Sequence, residues 1–353
     1  MEEKEEETRK IQFTGKSSYI VSLPKKWVED LGLKPKDHVT LSRQGNYLLQ
    51  IVPAKRHVGT KAKAAREAVV EMAKYDDPSK HIRKLIALYL LGFNVVHIRA
   101  KDGSGGRLGT AQREAIKDTV RRLLMGTEIT ADSTDGITIQ VLINLVELSV
   151  DGALKRMVLI AKSMLKDVIL ALQESNLDLA KEVIKSDDEV DRFSFYIIRQ
   201  LKIAIQNEYL LADMGLEKSR DCLGYRLVVK SIERIADHAA RISEDFVETK
   251  ESIDRQILSR IGAMSDLALE VLDDACLSLF KRDYDAAEHA IERAKRIEAL
   301  EGAVFKSSHG RRKASELYRI KFITENLRRI AEYASDIAEI VLNMTVEKQT
   351  KGG

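Results

Sequence analysis

With two cysteines, four prolines and one tryptophan in 353 residues, several architectures lack their raw material. Cys222 and Cys276 stand alone, without the paired spacing of a zinc site or a disulfide framework. They read as reduced thiols of a cytosolic protein. Aromatic residues make up 5% of the chain and charged residues 32%, a composition expected of many helices with Lys, Glu and Arg on their outer faces. The longest apolar runs, such as VLIA and VILAL, are far short of a bilayer span, and the first residues, MEEKEEETRK, are acidic where a signal peptide is basic. A cytoplasmic protein with no membrane insertion is expected. The 58 basic and 55 acidic side chains leave a net charge of +3, so a nucleic-acid role would have to rest on a local patch. No triad spacing, clustered histidines or phosphotransfer loop is present, which argues against an enzyme.

What is present is best seen in Ser231 to Phe246, SIERIADHAARISEDF. Ile232, Ile235, Ala239 and Ile242 recur at three and four residues and predict one buried stripe of a helix. Glu233 and Asp237 lie beside it, four residues apart on one face, where like charges repel unless a cation lies between them. A second helix, SDDEVDRFSFYIIRQL, carries Asp187 and Asp191 in the same relation, with Val190, Phe193, Ile197 and Leu201 as its stripe. Packed together, the two helices could gather four carboxylates into a hard-oxygen site for iron, manganese, magnesium or calcium. Spacing alone decides little. With 55 acidic residues, about eight or nine acid-x-x-x-acid pairs arise by chance, most of them solvated faces.

The words around the pairs carry more. ERIADHAARISE resembles the helix signature of the PhoU family of phosphate-signalling proteins, and MVLIAKSMLKDVILALQESNLDLAKEVIKSDDEVDRF is similar to that family's first two helices. The resemblance runs from near Val150 to the C-terminus. It implies two repeated three-helix bundles, each able to carry a metal cluster, with Asp187, Asp191, Glu233 and Asp237 as the metal ligands of the first. His238 lies about 100° round the helix from Asp237 and reads as a supporting residue.

After a charged arm over residues 1–8, four short alternating strands are expected in KIQFTG, SYIVSL, HVTLS and YLLQIV, the last two turning about Arg43 to Asn46. PKKWVEDLG between the pairs predicts one short helix with Pro24 at its first position and Gly32 past its end. So small a domain, without a disulfide or metal motif, needs a partner, and a homodimer is expected. GKSSYIVSLPKKWVEDLGLKPKDHVTL resembles the AbrB/SpoVT/MazE family of swapped-hairpin DNA-binding dimers. That resemblance implies DNA contacts from Arg9, Lys10, Lys16, Lys25 and Lys26, with Arg43 on a neighbouring loop. A clasp that only dimerises the chain is the alternative.

Residues 55–76 read as a basic, helix-prone connector. A helix follows Asp76-Asp77-Pro78 and ends at Gly92; then come a strand in FNVVHIRA, a helix in TAQREAIKDTVRRLLMG, and a hairpin from EITAD and GITIQVLI. This stretch resembles the segment between the AbrB-like and PhoU-like parts of archaeal proteins. The Gly-rich loop KDGSGGRLG lacks the Walker and dinucleotide patterns and reads as a connector. In the second helical repeat, Glu298 matches Asp191 and Glu332 matches Asp237, whereas Ala294 matches Asp187 and Arg328 matches Glu233. That substitution predicts one metal cluster, in the first bundle, and a salt-bridged remnant in the second.

The expected fold class is multidomain α+β: a swapped-hairpin β domain over 9–54, a linker helix and small α/β module over 55–148, and tandem three-helix bundles over 149–250 and 251–347. The expected function is phosphate-responsive control of phosphate uptake, through DNA, the phosphate ABC transporter, or both. A transporter-docking metal scaffold and an antitoxin-like regulator are the alternatives.

Overall fold

The computed structural model describes residues 6–15, 17–44, 48–53, 66–101, 106–143, 147–206, 210–308 and 313–350. The chain divides into two units, residues 1–65 and 66–353. In the first, β1 (Gln12–Thr14) pairs antiparallel with β2 (Ser18–Ile20), and β3 (Val39–Gln44) with β4 (Leu48–Pro53). Between the two hairpins lies α1 (Lys25–Asp30). Pro24 is the N-cap of α1 rather than its first residue, a one-position difference at a boundary. Among the described residues of this unit only Pro24 is buried. Phe13, Tyr19, Leu41 and Leu49 are 60–75% exposed, so apolar faces stand open on both hairpins. Arg43 belongs to β3, opposite Leu49, and not to a loop. The strand pairing continues to Gln44, opposite Leu48, and the expected turn at Gly45 and Asn46 lies outside the described residues.

The second unit begins at Arg66. Glu67–Met72, expected as part of a helical connector, is a strand, β5. Val70 and Met72 are fully buried while their neighbours are not, the period of two that marks a half-buried strand. It pairs in parallel with β6 (Val95–Ala100), which pairs antiparallel with β8 (Gly136–Val141), which pairs with β7 (Thr127–Asp132). The sheet order is β5-β6-β8-β7. Its crossover helix α2 (Pro78–Leu90) begins at Asp77, whose carboxylate accepts from Ser79 N. The second helix, α3 (Thr110–Leu123), follows β6. Leu85, Tyr89, Ile116 and Val120 of these helices close over Val70, Ile98 and Ile137 of the sheet.

The remaining helices share one apolar core. Ser149 caps α4 (Val150–Glu174), whose last turn ends at Ser175 with φ +54°. A two-residue link leads to α5 (Leu177–Gln206), and α6 (Asp221–Thr249) completes the first bundle. The second bundle begins with α7 (Arg255–Lys281), capped by Asp254, and ends with α10 (Ala314–Thr345). Its middle helix is broken in two, α8 (Tyr284–Ala294) and α9 (Ile297–Ser308), where the first bundle has the continuous α5. Of the stripes predicted for α5 and α6, Val190, Ile197, Ile232, Ile235, Ala239 and Ile242 are fully enclosed and Leu201 is buried, whereas Phe193 is half-buried against the same core. Among the described residues, no helix is long and apolar enough to cross a membrane.

Candidate metal centre

Helices α5 and α6 pack along their length, and the carboxylates beside their buried stripes lie near enough to repel one another. Asp187, Asp191, Glu233 and Asp237 are each half-buried. Burial, and then repulsion from Asp237, Asp188, Glu233 and Glu244, pushes the Asp187 carboxyl up to about 6. Burial, and then Glu233, Asp187 and Asp237, pushes Asp191 up to about 7, with Lys230 opposing weakly. Asp187 Oδ1 is buried without a hydrogen-bond partner. Glu233 Oε1 accepts from Lys230 Nζ at 2.6 Å on its own helix.

A buried, unsatisfied carboxylate oxygen beside like charges lacks a cation. In donor chemistry the four residues fit a hard divalent metal. Among the described residues, however, no three His, Cys, Asp or Glu side chains already converge on one point, so a metal would have to gather them. His238 faces away, toward α10: its Nδ1 lies 2.6 Å from Asn326 Oδ1, and its ring stacks on Tyr333 at 5.6 Å.

The second bundle fills the equivalent place with an arginine. Arg328 forms ion pairs with Glu332 and, at 3.4 Å, with Glu301. Glu301 lies three residues beyond the expected Glu298, after the break between α8 and α9.

Sequence reasoning missed the other face of α5. One step round from Asp187 and Asp191, residues 188, 192, 195 and 199 recur at i, i+4, i+7 and i+11 and face the middle module. Asp188 accepts from Arg122 Nε of α3 at 2.9 Å and from a second guanidinium nitrogen at 2.5 Å. Phe195 packs against the sheet module's core. Arg199, 1% exposed, donates to Phe93 O at 2.9 Å and to Tyr89 O, and its guanidinium lies 4.9 Å from the Tyr89 ring. Gly92, at φ +87°, lets the end of α2 close on Ile203, which a β-carbon there would meet at 3.1 Å.

Of the expected DNA-contacting residues, Arg9, Lys10, Lys25, Lys26 and Arg43 are exposed and lie on three different stretches: the lead-in to β1, α1 and β3. Arg9 is paired with Glu7 and Lys25 with Glu29 at 3.6 Å. Lys16, residues 102–105 of the Gly-rich loop and part of the SSHGRRK turn lie outside the described residues. Both cysteines are buried, and burial pushes the Cys276 thiol up to about 12.

Comparison with known families agrees with this architecture. The PhoU domain matches residues 154–246 and again 261–341. The domain described as antidote-toxin recognition MazE, bacterial antitoxin, matches residues 12–58. A phosphate-specific transport system accessory protein PhoU homolog of Clostridium acetobutylicum is 23% identical over 203 residues, 56% of this chain and 90% of that protein. A homolog of the same description from Zymomonas mobilis is 24% identical over 192 residues, 52% of this chain and 78% of that protein. The crystal structure of PhoU from Pseudomonas aeruginosa aligns with a TM-score of 0.50 at 18% identity, covering 56% of this chain and 96% of that one. At that identity it speaks for the fold.

Proposed function

Because the chain is a PhoU-domain protein with two PhoU domains behind a MazE-like antitoxin domain, we propose that it is a phosphate-responsive regulator of phosphate uptake. In this reading a metal-binding helical module is coupled to a dimeric, DNA-binding hairpin module. The observation that carries it is the joining of these two domain types in one chain. The relatives that match the helical half are named as accessory proteins of phosphate-specific transport.

Asp187, Asp191, Glu233 and Asp237 would hold a multivalent cation, whether iron, manganese, magnesium or calcium. Bound there, it would neutralise the repulsion that raises Asp187 and Asp191. The open apolar faces of the first unit support a homodimer, since two short hairpins with only Pro24 buried cannot be stable alone. A dimer doubles the basic set Arg9, Lys10, Lys16, Lys25, Lys26 and Arg43, and each phosphate it neutralises steepens the salt dependence of DNA binding by about one unit of slope.

A second reading has the chain dock on the phosphate ABC transporter, with the hairpins serving only as a clasp. The pairing of Arg9 with Glu7 and of Lys25 with Glu29 favours it, because both cations are already engaged. Selection of random duplex DNA on the purified chain, beside a variant lacking residues 1–53, tests the two. Recovery of a palindromic or repeated sequence by the full chain alone supports the regulator. Recovery of nothing transfers the case to the transporter clasp.

A further inference from the structure

A cavity of about 270 Å³ lies at the seam between the middle module and the first bundle, lined by residues of α3, β7 and α5. Its charged lining is Arg121, Arg192 and Glu128. Arg192 is the residue after Asp191, on the face of α5 that meets the module. Its Nε is buried and has no hydrogen-bond partner. The carboxylate four residues earlier, Asp188, is taken by Arg122 of α3. Among the described residues neither Arg121 nor Arg192 has an ion pair with any carboxylate. Arg192 is half-buried, its Nε has no acceptor among the described residues, and arginine's fork of donors matches an oxyanion.

We propose that this cavity is a binding site for a small tetrahedral oxyanion of the inorganic phosphate class, held between Arg192 and Arg121. The volume sets the size of the ligand. At about 270 Å³ it falls just below the range of pockets that take drug-sized or nucleotide ligands, and it suits a free oxyanion with a few waters. Leu124 and Ile129 supply apolar walls, which strengthen charge pairing by excluding water. Thr127 Oγ1 already donates to Leu124 O at 2.7 Å and so offers the ligand no proton. Glu128 is exposed and subtracts one charge, leaving a net +1 on the lining; it weakens the site and favours ligands able to engage both guanidiniums.

The location gives the site a consequence. An anion here bridges Arg121 of α3 and Arg192 of α5, the helix whose adjacent face carries Asp187 and Asp191. This deepens the phosphate-responsive reading by placing the effector away from the carboxylates, and it rests on that reading only for the choice of phosphate.

The test is titration of the full chain, freed of metal by a chelator, with inorganic phosphate at constant ionic strength, followed by calorimetry. Saturable binding of one phosphate per chain is expected. Arg192→Met, which keeps the buried stem, should weaken it at least ~10-fold and Arg121→Ala ~5-fold, whereas Glu128→Gln should tighten it ~3-fold. Asp187→Asn with Asp191→Asn should leave it unchanged. Absence of saturable binding to the wild-type chain overturns the proposal. So does equal affinity in a folded Arg192→Met chain, or loss of binding in the Asp187→Asn, Asp191→Asn chain, which would move the anion to the acidic face. If Arg192→Met does not fold, the exposed Arg121 carries the test. DNA affinity that ignores phosphate would sink the regulator reading and leave this binding result untouched.

Discussion

The two bundles are copies of one three-helix plan, and they treat the same position in opposite ways. In the first, α5 runs unbroken for 30 residues and brings Asp187 and Asp191 against Glu233 and Asp237. Among the described residues Asp187 Oδ1 has no hydrogen-bond partner. In the second, the middle helix breaks at Lys295 and Arg296, and Arg328 sits where Glu233 does in the first, pairing Glu332 and Glu301. An arginine in the second bundle supplies positive charge from within the chain, where the first bundle has Glu233. One residue on the third helix therefore decides the sign of the charge at the centre.

If that contrast is sound, the largest effect belongs to the first bundle alone. Asp191→Asn should reduce Mn²⁺ affinity by at least ~100-fold, because losing an anionic ligand shifts such sites by decades. Glu332→Gln should leave Mn²⁺ affinity unchanged. Calorimetric titration of both variants checks this, and a loss of metal from Glu332→Gln would break the comparison.

The reverse conversion comes next. Arg328→Glu places a third carboxylate beside Glu301 and Glu332 and removes their counter-charge, which should destabilise the metal-free protein by about 2 kcal/mol. Added Mn²⁺ should restore most of it if the scaffold is equivalent in both bundles. Chemical denaturation with and without the metal reads the effect. Failure of rescue would mean that the break between α8 and α9 has removed the geometry as well as the charge.

Much of this contrast could be read from the chain before folding, for a physical reason. The stripes of α5 and α6 are long and strictly spaced at three and four, so one face had to be buried, and the carboxylates beside it had to lie near one another. The break in the second bundle left no such mark, because EHAIERAKRIEAL is made of good helix formers throughout. The strand β5 was hidden likewise: EAVVEM mixes Ala, Glu and Met with two valines, and only its parallel partner β6, some 25 residues on, decides the outcome. Arg199 lies in a stretch, YIIRQL, that gives no sign its guanidinium caps two carbonyls of α2's last turn and the loop after it. Contacts across the seam join residues separated by 66 to 110 positions, and a local pattern carries no information about them.

A smaller effect is expected from pH. Asp187 and Asp191 titrate ordinarily at 3.8, and in the fold at about 6 and about 7. Between those values the native state holds protons that the unfolded chain has released, so stability from these groups falls as pH rises from about 4 to about 7. The metal-free wild type should lose this increment across that window. Asp187→Asn with Asp191→Asn should not, and should melt ~3 °C higher at pH 8. Thermal melts in chelator at pH 5 and pH 8 measure the difference. Bound metal should offset the loss at pH 8, since it replaces the protons.

The smallest expected effect concerns how the first bundle is tied to the middle module, a tie for which the second bundle has no counterpart. Arg122 is 52% exposed on its side chain, so its pair with Asp188 is screened and Arg122→Ala should lower stability by under ~1 kcal/mol. Its consequence should lie elsewhere. Asp188 contributes to the rise at Asp187, and removing its cation leaves a fuller negative charge beside the candidate ligands. Metal affinity should then rise ~2- to 3-fold while the fold is nearly unaffected, an asymmetry that paired denaturation and Mn²⁺ titration would reveal. Arg199→Met, deeper in the same seam, provides the contrast: it takes the side-chain donor from Phe93 O and from Tyr89 O, which keeps Gly92 N, so its effect should fall on stability and leave metal affinity alone. Equal effects of the two substitutions on metal binding would show that the seam acts on the carboxylates through packing rather than charge.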